Sequence, residues 1–277
     1  MRAGASDLTE AIAGRCQSAM ASGALQPIAT EQIALHDGPF PFVVKWIAHC
    51  NPAPPQKPAR GGAHNPFLPP EPALTLGPLP PAHLALLNKY PVMDHHLLIV
   101  TRQFEAQTDA LCAGDFAALA AVMRDHGGLG FYNGGEVAGA SQPHKHLQWI
   151  PEAPPIARAL PTLLARSDVD FGFRHAFMPL DTRDWSAEDD GEALAAHYRR
   201  ALAQLRIDPA QAPLAPYNLL LSREWMWLIP RRAERWSGMS INALGFAGSL
   251  FIRARDDLPA LQTAGPLNAL RAVAVPT

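Results

Sequence analysis

Apolar residues recur at helical spacing near the start of the chain, at Leu8, Ile12, Cys16 and Ala19, and predict a first helix over residues 6–21 with Ser6 or Asp7 as its cap. The period then changes. Residues 33–48 contain Pro-Phe-Val-Val-Lys-Trp-Ile, a β-branched and aromatic run between turn formers, and predict a strand with Lys45 on its polar side. Residues 51–72 interrupt the pattern with prolines and glycines and predict a long loop, a length at which loops in compact proteins tend to be functional. Strands are expected at 83–88 and 95–101, the second buried on both faces because Leu97-Leu98-Ile99-Val100 is unbroken. Helical spacing returns over 109–125, with Asp115 as the cap and Gly127-Gly128 as the stop.

Strand, glycine loop and strand are expected over 131–151, a helix over 155–166, a strand near 175–179 and a helix over 188–205. A hairpin over 217–230 should turn near Arg223 and Glu224. This hairpin and the 131–151 stretch both place Tyr-Asn near their start and Ile-Pro at their end, so two halves of one plan are a possibility that strand order can decide.

Alternation at 144–148 is where the chemistry is sought. In an extended His144-Lys145-His146-Leu147-Gln148, the side chains of His144, His146 and Gln148 share one face and those of Lys145 and Leu147 the other. Gly134, Gly135 and Gly139 come just before, where backbone can approach an anion closely. Neutral imidazole attacks phosphorus and its phosphoramidate is reactive enough to be broken again. His146, central in the row, is the candidate nucleophile, with His144 orienting it or the phosphate. Gln148 would hold a non-bridging oxygen without acting as a base, and Ser141 and Gln142 would reach the same phosphates. His-x-His on a strand is also half of a metal site, but no Cys-x-x-Cys or His-x-x-x-His accompanies it. His95 and His96 are adjacent and face opposite ways, so at least one is packing or turn. Trp225-Met226-Trp227 reads as core, and Asn242 and Gly245, in the small-residue run 240–249, read from sequence alone as turn and packing residues.

Composition narrows the partners. The 277 residues are 48% hydrophobic, enough for one large core or two ordinary ones, while only 17% are charged and the net charge is -2. Neither a basic field for nucleic acid nor a polybasic tract for a membrane is present, so an anionic ligand must be held by local groups. Cys16, Cys50 and Cys112 are odd in number and far apart, which favours a reducing cytoplasm over a disulfide framework. No apolar run approaches the roughly 20 residues of a membrane span, and Asp7, Glu10, Arg15 and Gln17 break the start, so no secretory signal is expected. The only lysines are Lys45, Lys57, Lys89 and Lys145, and a compact ammonium suits polyphosphate; chance is the alternative.

Asn65-Pro66-Phe67-Leu68-Pro69, Leu87-Asn88-Lys89, His96-Leu97-Leu98-Ile99-Val100-Thr101-Arg102, Asn218-Leu219-Leu220-Leu221 and Asn242-Ala243-Leu244-Gly245-Phe246-Ala247-Gly248 can be added to Gly139-Ala140-Ser141-Gln142-Pro143-His144-Lys145-His146-Leu147-Gln148. Together, over nearly the whole chain, they resemble the ATP adenylyltransferase family, also called diadenosine tetraphosphate phosphorylase, of the histidine triad superfamily. The resemblance implies an α+β fold, an antiparallel sheet flanked by helices, with two related halves as in galactose-1-phosphate uridylyltransferase. It implies an N-terminal catalytic region over 1–165 and a C-terminal region over 166–277, packed as one unit. Gln148 stands where the hydrolase branch has a third histidine and is typical of the transferase branch. The implied reaction is ping-pong: His146 attacks the α-phosphorus of a diadenosine polyphosphate, ATP leaves, and phosphate takes the adenylyl group to give ADP. Substrate contacts are carried over to Lys57, Asn88, Lys89, Asn133, Gly139, Ala140, Ser141, Gln142 and Gln148, with Asn242 and Gly245 in the C-terminal region. The zinc cysteines of the uridylyltransferase relatives have no counterpart, so no metal site is expected. No cofactor is required beyond room for Mg2+ on the polyphosphate, and no oligomeric state is implied. Two alternatives stay open: a related transferase acting on adenylylsulfate or a nucleotide sugar, and a nucleotide-binding sensor without turnover.

Overall fold

The structure, a computed structural model, describes residues 5–48, 65–189 and 191–277. Helix α1 (Ala5–Ala21) buries Ile12, Cys16 and Ala19, one face of the helical repeat. A hairpin follows where one strand was expected: β1 (Thr30–Asp37) pairs with β2 (Phe40–Ile47) around Gly38, whose φ of 56° is the left-handed conformation such a turn needs. The Asp37-Gly38 pair was the overlooked signal. Strand β3 (Thr75–Leu79), also unforeseen because of its Pro78, lies at a sheet edge, where a residue without an N–H is tolerated.

Next come β4 (His83–Leu87), β5 (Leu97–Thr101) and α2 (Ala113–His126). Helix α2 starts later than its sequence pattern because Asp115 is the third helical residue and reaches back to the Cys112 N–H at 2.8 Å. Strands β6 (Leu129–Gly134) and β7 (His146–Ile150), helix α3 (Pro155–Leu164), strand β8 (Ala176–Pro179) and helix α4 (Glu192–Leu205) continue the chain. The hairpin of β9 (Tyr217–Leu221) and β10 (Trp225–Pro230) is followed by β11 (Arg235–Trp236), β12 (Met239–Ser240) and α5 (Ala243–Phe246). Strand β13 (Ser249–Phe251) and helices α6 (Leu258–Ala264) and α7 (Pro266–Val273) close it.

An eight-stranded antiparallel sheet in the order β3-β4-β5-β7-β6-β9-β10-β8 is the frame, and with its flanking helices it makes the fold α+β. Two matching sides of the sheet meet at the β6–β9 pair, with Asn133 opposite Asn218. Outward from that pair the two sides match: β6, β7, β5 on one and β9, β10, β8 on the other. The chain order matches as well, β5-α2-β6-β7 against β8-α4-β9-β10. Two related halves therefore back onto each other through their Asn-bearing strands.

The pleat sorts the side chains. Leu97, Ile99, Leu147 and Trp149 face one core, beneath α1, α2 and α4. Phe131, Ile150, Leu220 and Trp227 face a second core, which takes in residues of β2, α3, α5 and α7. His146 and Gln148 share the second face with Ile150, beside a small cluster of Phe67, Leu86 and Val100. Trp225, Met226 and Trp227 are core residues, as expected. No helix among the described residues is long and apolar enough to cross a membrane.

Candidate active site

The predicted alternation holds from His146 onward, but β7 begins at His146 rather than His144. The peptides before it pair with the last residue of β5 and the chain beyond it instead: Lys145 N–H donates to Glu105 O at 2.8 Å, and Lys145 O accepts from Thr101 N–H at 3.2 Å. His144 is consequently enclosed in its own contacts. Asn65 Nδ2 donates to its Nδ1 at 2.9 Å, and its Nε2 donates to Thr101 O at 2.8 Å. Both ring nitrogens are spoken for, which removes His144 as a nucleophile. Its contribution to the neighbouring histidine is its carbonyl.

That carbonyl accepts from His146 Nδ1 at 2.8 Å, so Nδ1 carries the proton and the lone pair lies on Nε2. Burial lowers the His146 pKa to about 4, helped by the nearby His144 ring and opposed by the carbonyl, so the imidazole is neutral at ordinary pH. The Phe67 ring centroid lies 5.5 Å from both histidine rings, which brings residues 65–67, the described end of the predicted long loop, to the site. Lys57 lies outside the described residues.

Gln148, 8% exposed, is fixed by a residue the sequence reading left unassigned. Asn88 Nδ2 donates to His96 Nδ1 at 3.0 Å, which leaves the His96 proton on Nε2, 2.9 Å from Gln148 Oε1. His96 is held neutral by burial, its pKa lowered to about 4. With the oxygen of Gln148 taken, its NH2 is the end that can donate to a phosphoryl oxygen. Asn88 thus acts here through His96, and Lys89 pairs with Glu71 at 2.7 Å.

Gln107 was also missed. Continued two residues past Phe131 and Gln148, the β6–β7 register would set Asn133 opposite His146, yet the ladder has already stopped. The Gln107 amide fills the gap: its Oε1 accepts from His146 N–H at 2.8 Å, and its Nε2 donates to Asn133 O at 2.9 Å and His146 O at 3.3 Å. A glutamine isolated in sequence, between Ala106 and Thr108, gives no hint of this bridge.

Asn133, 2% exposed, accepts through Oδ1 from Asn218 Nδ2 at 2.8 Å and from Ala243 N–H at 2.9 Å. Gly139 turns with φ 92°, its N–H and that of Ala140 bonded inside the turn to Glu136 and Gly135, which leaves the exposed Ser141 and half-buried Gln142 as the outward part of the loop. Asn242 caps α5 by accepting from Leu244 N–H at 3.0 Å and backs onto Gly139. Gly245 packs against Ile241, where a Cβ would come within 2.7 Å.

On the far face of the same stretch, Lys145 is buried and bonds Glu105 at 2.6 Å, with Asp115 at 3.6 Å. Burial alone would lower its pKa, but the two carboxylates raise it. Among the described residues no group of three His, Cys, Asp or Glu is placed to hold a metal ion.

Comparison with known proteins places the chain among relatives of one kind. Residues 2–163 match the model of the Ap4A phosphorylase N-terminal domain, and residues 169–276 that of the ATP adenylyltransferase C-terminal domain. Protein APA1 of Saccharomyces cerevisiae is 29% identical over 281 residues, covering 89% of this chain and 87% of that protein. The diadenosine 5',5'''-P1,P4-tetraphosphate phosphorylase 2 of the same yeast is 31% identical over 207 residues, 62% of this chain and 63% of that protein. The crystal structure of yeast Ap4A phosphorylase Apa2 in complex with Ap4A superposes with a TM-score of 0.76 at 24% identity, covering 98% of both chains, a likeness of fold.

Proposed function

The chain belongs to the Ap4A phosphorylase and ATP adenylyltransferase family, and from that premise we propose that it splits diadenosine tetraphosphate with phosphate into ATP and ADP, reversibly. The observation that carries the mechanism is the His146 Nδ1–H bond to the backbone carbonyl of His144, because it leaves a neutral Nε2 lone pair. That lone pair attacks the α-phosphorus, an N–P bond forms, the P–O bond to the rest of the dinucleotide breaks, and its electron pair leaves on ATP. The phosphorylated ring is cationic, and the His144 carbonyl facing Nδ1–H stabilises it more as charge develops. Phosphate then attacks the same phosphorus from the vacated side, expels neutral imidazole and leaves as ADP.

Gln148 donates its NH2 to the transferring phosphoryl group. As an amide it cannot take a proton from water, while phosphate arrives already ionised, which favours transfer over hydrolysis. Lys57, Lys89, Asn88, Asn133, the loop from Gly139 to Gln142, and the Asn242 and Gly245 turn behind it form the polyphosphate site in this reading. For Lys89 this means exchanging Glu71 for a phosphate. Mg2+ would enter on the polyphosphate rather than on a site of its own.

Incubation with the dinucleotide, with and without phosphate, tests the proposal. ATP and ADP should appear in equal amounts only when phosphate is present, and equal rates in phosphate-free buffer would overturn it. His146→Ala should abolish turnover and nucleotide labelling.

A further inference from the structure

Arg231, immediately after β10, is a cation for which the reaction above has no use, although it is only 3% exposed. Its guanidinium is fully engaged. Nε donates to Val273 O at 3.2 Å, Nη1 to Ala138 O at 3.3 Å and to Asn218 Oδ1, and Nη2 to Ala233 O at 2.7 Å and Ile241 O at 2.8 Å. All five acceptors are neutral. Glu234, the acid that acts on it through space, is bonded to Arg235 and Ser240. The Phe246 ring lies 5.2 Å from the guanidinium carbon. Burial accordingly pulls the Arg231 pKa down to about 9, the mark of a charge that lacks a full counter-charge. Linking carbonyls requires donors but no net charge, and burying a net charge without an anion is costly.

The acceptors show where that charge is placed. Ala138 is the residue before Gly139, and the oxygen of Ile241 lies 3.1 Å from where a Cβ on Gly139 would be. The guanidinium is thus directly behind the glycine turn. Its second line of action runs through Asn218, whose Oδ1 accepts from Arg231 and whose Nδ2 donates to Asn133 Oδ1 and to Ala138 O, both at 2.8 Å. This fixes the amide orientation of Asn218 and, in turn, that of Asn133, whose oxygen is held by Asn218 and Ala243 so that its NH2 is directed away from them.

We infer that Arg231 is a positioning residue of the polyphosphate site: it sets a fixed positive charge behind the Gly139 turn and, through Asn218, orients the Asn133 amide to donate to phosphate. The inference rests on the polyphosphate reading of the site. Anionic ligand would add counter-charge beyond what Glu234 supplies through space, so the benefit should grow with the number of phosphates and vanish for a nucleoside.

Calorimetric titration of adenosine, AMP, ADP, ATP and inorganic tripolyphosphate into wild type, Arg231→Met and Arg231→Lys tests this, with the melting temperature of each protein recorded alongside. The methionine variant should bind adenosine within about twofold of wild type and ATP and tripolyphosphate about tenfold or more weakly, with AMP and ADP between. The lysine variant should recover most of the loss. An equal loss for every ligand, adenosine included, or undiminished tripolyphosphate binding, would overturn the inference, as would a wild type that binds no tripolyphosphate. Where the methionine variant does not fold, the lysine variant decides alone: a preserved rise in affinity with phosphate number supports the charge, and a flattened one overturns it. Phosphate-dependent turnover of the dinucleotide by wild type is measured in parallel. No turnover with the phosphate gradient intact removes the reaction and keeps the anion site, whereas turnover with uniform losses does the reverse.

Discussion

At the scale of single residues, two histidines of the candidate site are held neutral. His96 and His146 have pKa values lowered to about 4 by burial, against 6.5 for an unburied imidazole. Between those values the unfolded chain binds protons that the native one refuses. Stability therefore rises with pH across the window from 4 to 6.5 and is lost as pH falls through it, by an order of 3 kcal/mol for each group. The two rings act on each other, so the losses do not simply add. The melting temperature should drop markedly from pH 7 to pH 5, and His146→Asn should have a shallower dependence than wild type; parallel curves for the two proteins would count against it. His96 also makes a kinetic prediction. His96→Ala removes the donor that holds Gln148 Oε1 and frees the amide to rotate, which should lower kcat by about tenfold to a hundredfold with little change in KM. Unchanged kcat in steady-state assays would show that Gln148 needs no such partner.

At the scale of elements, the end of the β6–β7 ladder is held by a side chain. Because the Gln107 amide bonds Asn133 O and both the N–H and O of His146, Gln107→Ala leaves buried backbone groups unpaired. It should cost about 1–3 kcal/mol in denaturant unfolding and reduce turnover with it; a stable, fully active variant would refute the bridge. Gly139→Ala tests the turn: φ is 92° and the new Cβ would meet Asn242 Cβ at 2.7 Å and its Cα at 2.9 Å. Strain of about 1–3 kcal/mol is expected, with a raised KM for dinucleotide. These two residues mark the boundary of what sequence conveys. Alternation at 146–148 and the glycines before it were readable because pleat and turn chemistry are local. The role of Gln107 depends on where a ladder 39 residues away stops, and that of His96 on a strand pairing across 52 residues. His144 was placed on the strand by alternation alone, which carries no information about the partner backbone after β5. Strand β3 was hidden by Pro78, which an edge position excuses, and the helices after β13 were not anticipated at all.

The whole molecule is organised about the Asn133–Asn218 contact. One half contributes β6, with His146 and Gln148 on the adjoining strand; the other contributes β9, Arg231 and the Asn242 turn that backs Gly139. His146 is in one half and part of its support in the other, so the regions 1–165 and 166–277, expected from the sequence to pack as one unit, should also be inseparable in stability. Leu129, Phe131 and Ile150 share a single buried cluster with Leu220, Trp227, Leu267 and Leu270, and parting the halves would expose that cluster and leave β6 an open, apolar edge. Scanning calorimetry of the intact chain should show one transition, with the van't Hoff and calorimetric enthalpies equal. Residues 1–165 expressed alone should aggregate, and co-expression with 166–277 should restore a soluble complex with phosphate-dependent turnover. Two resolved thermal transitions, or an N-terminal piece that is soluble and takes up adenylyl label by itself, would mean that the second half is an accessory rather than the other wall of the site.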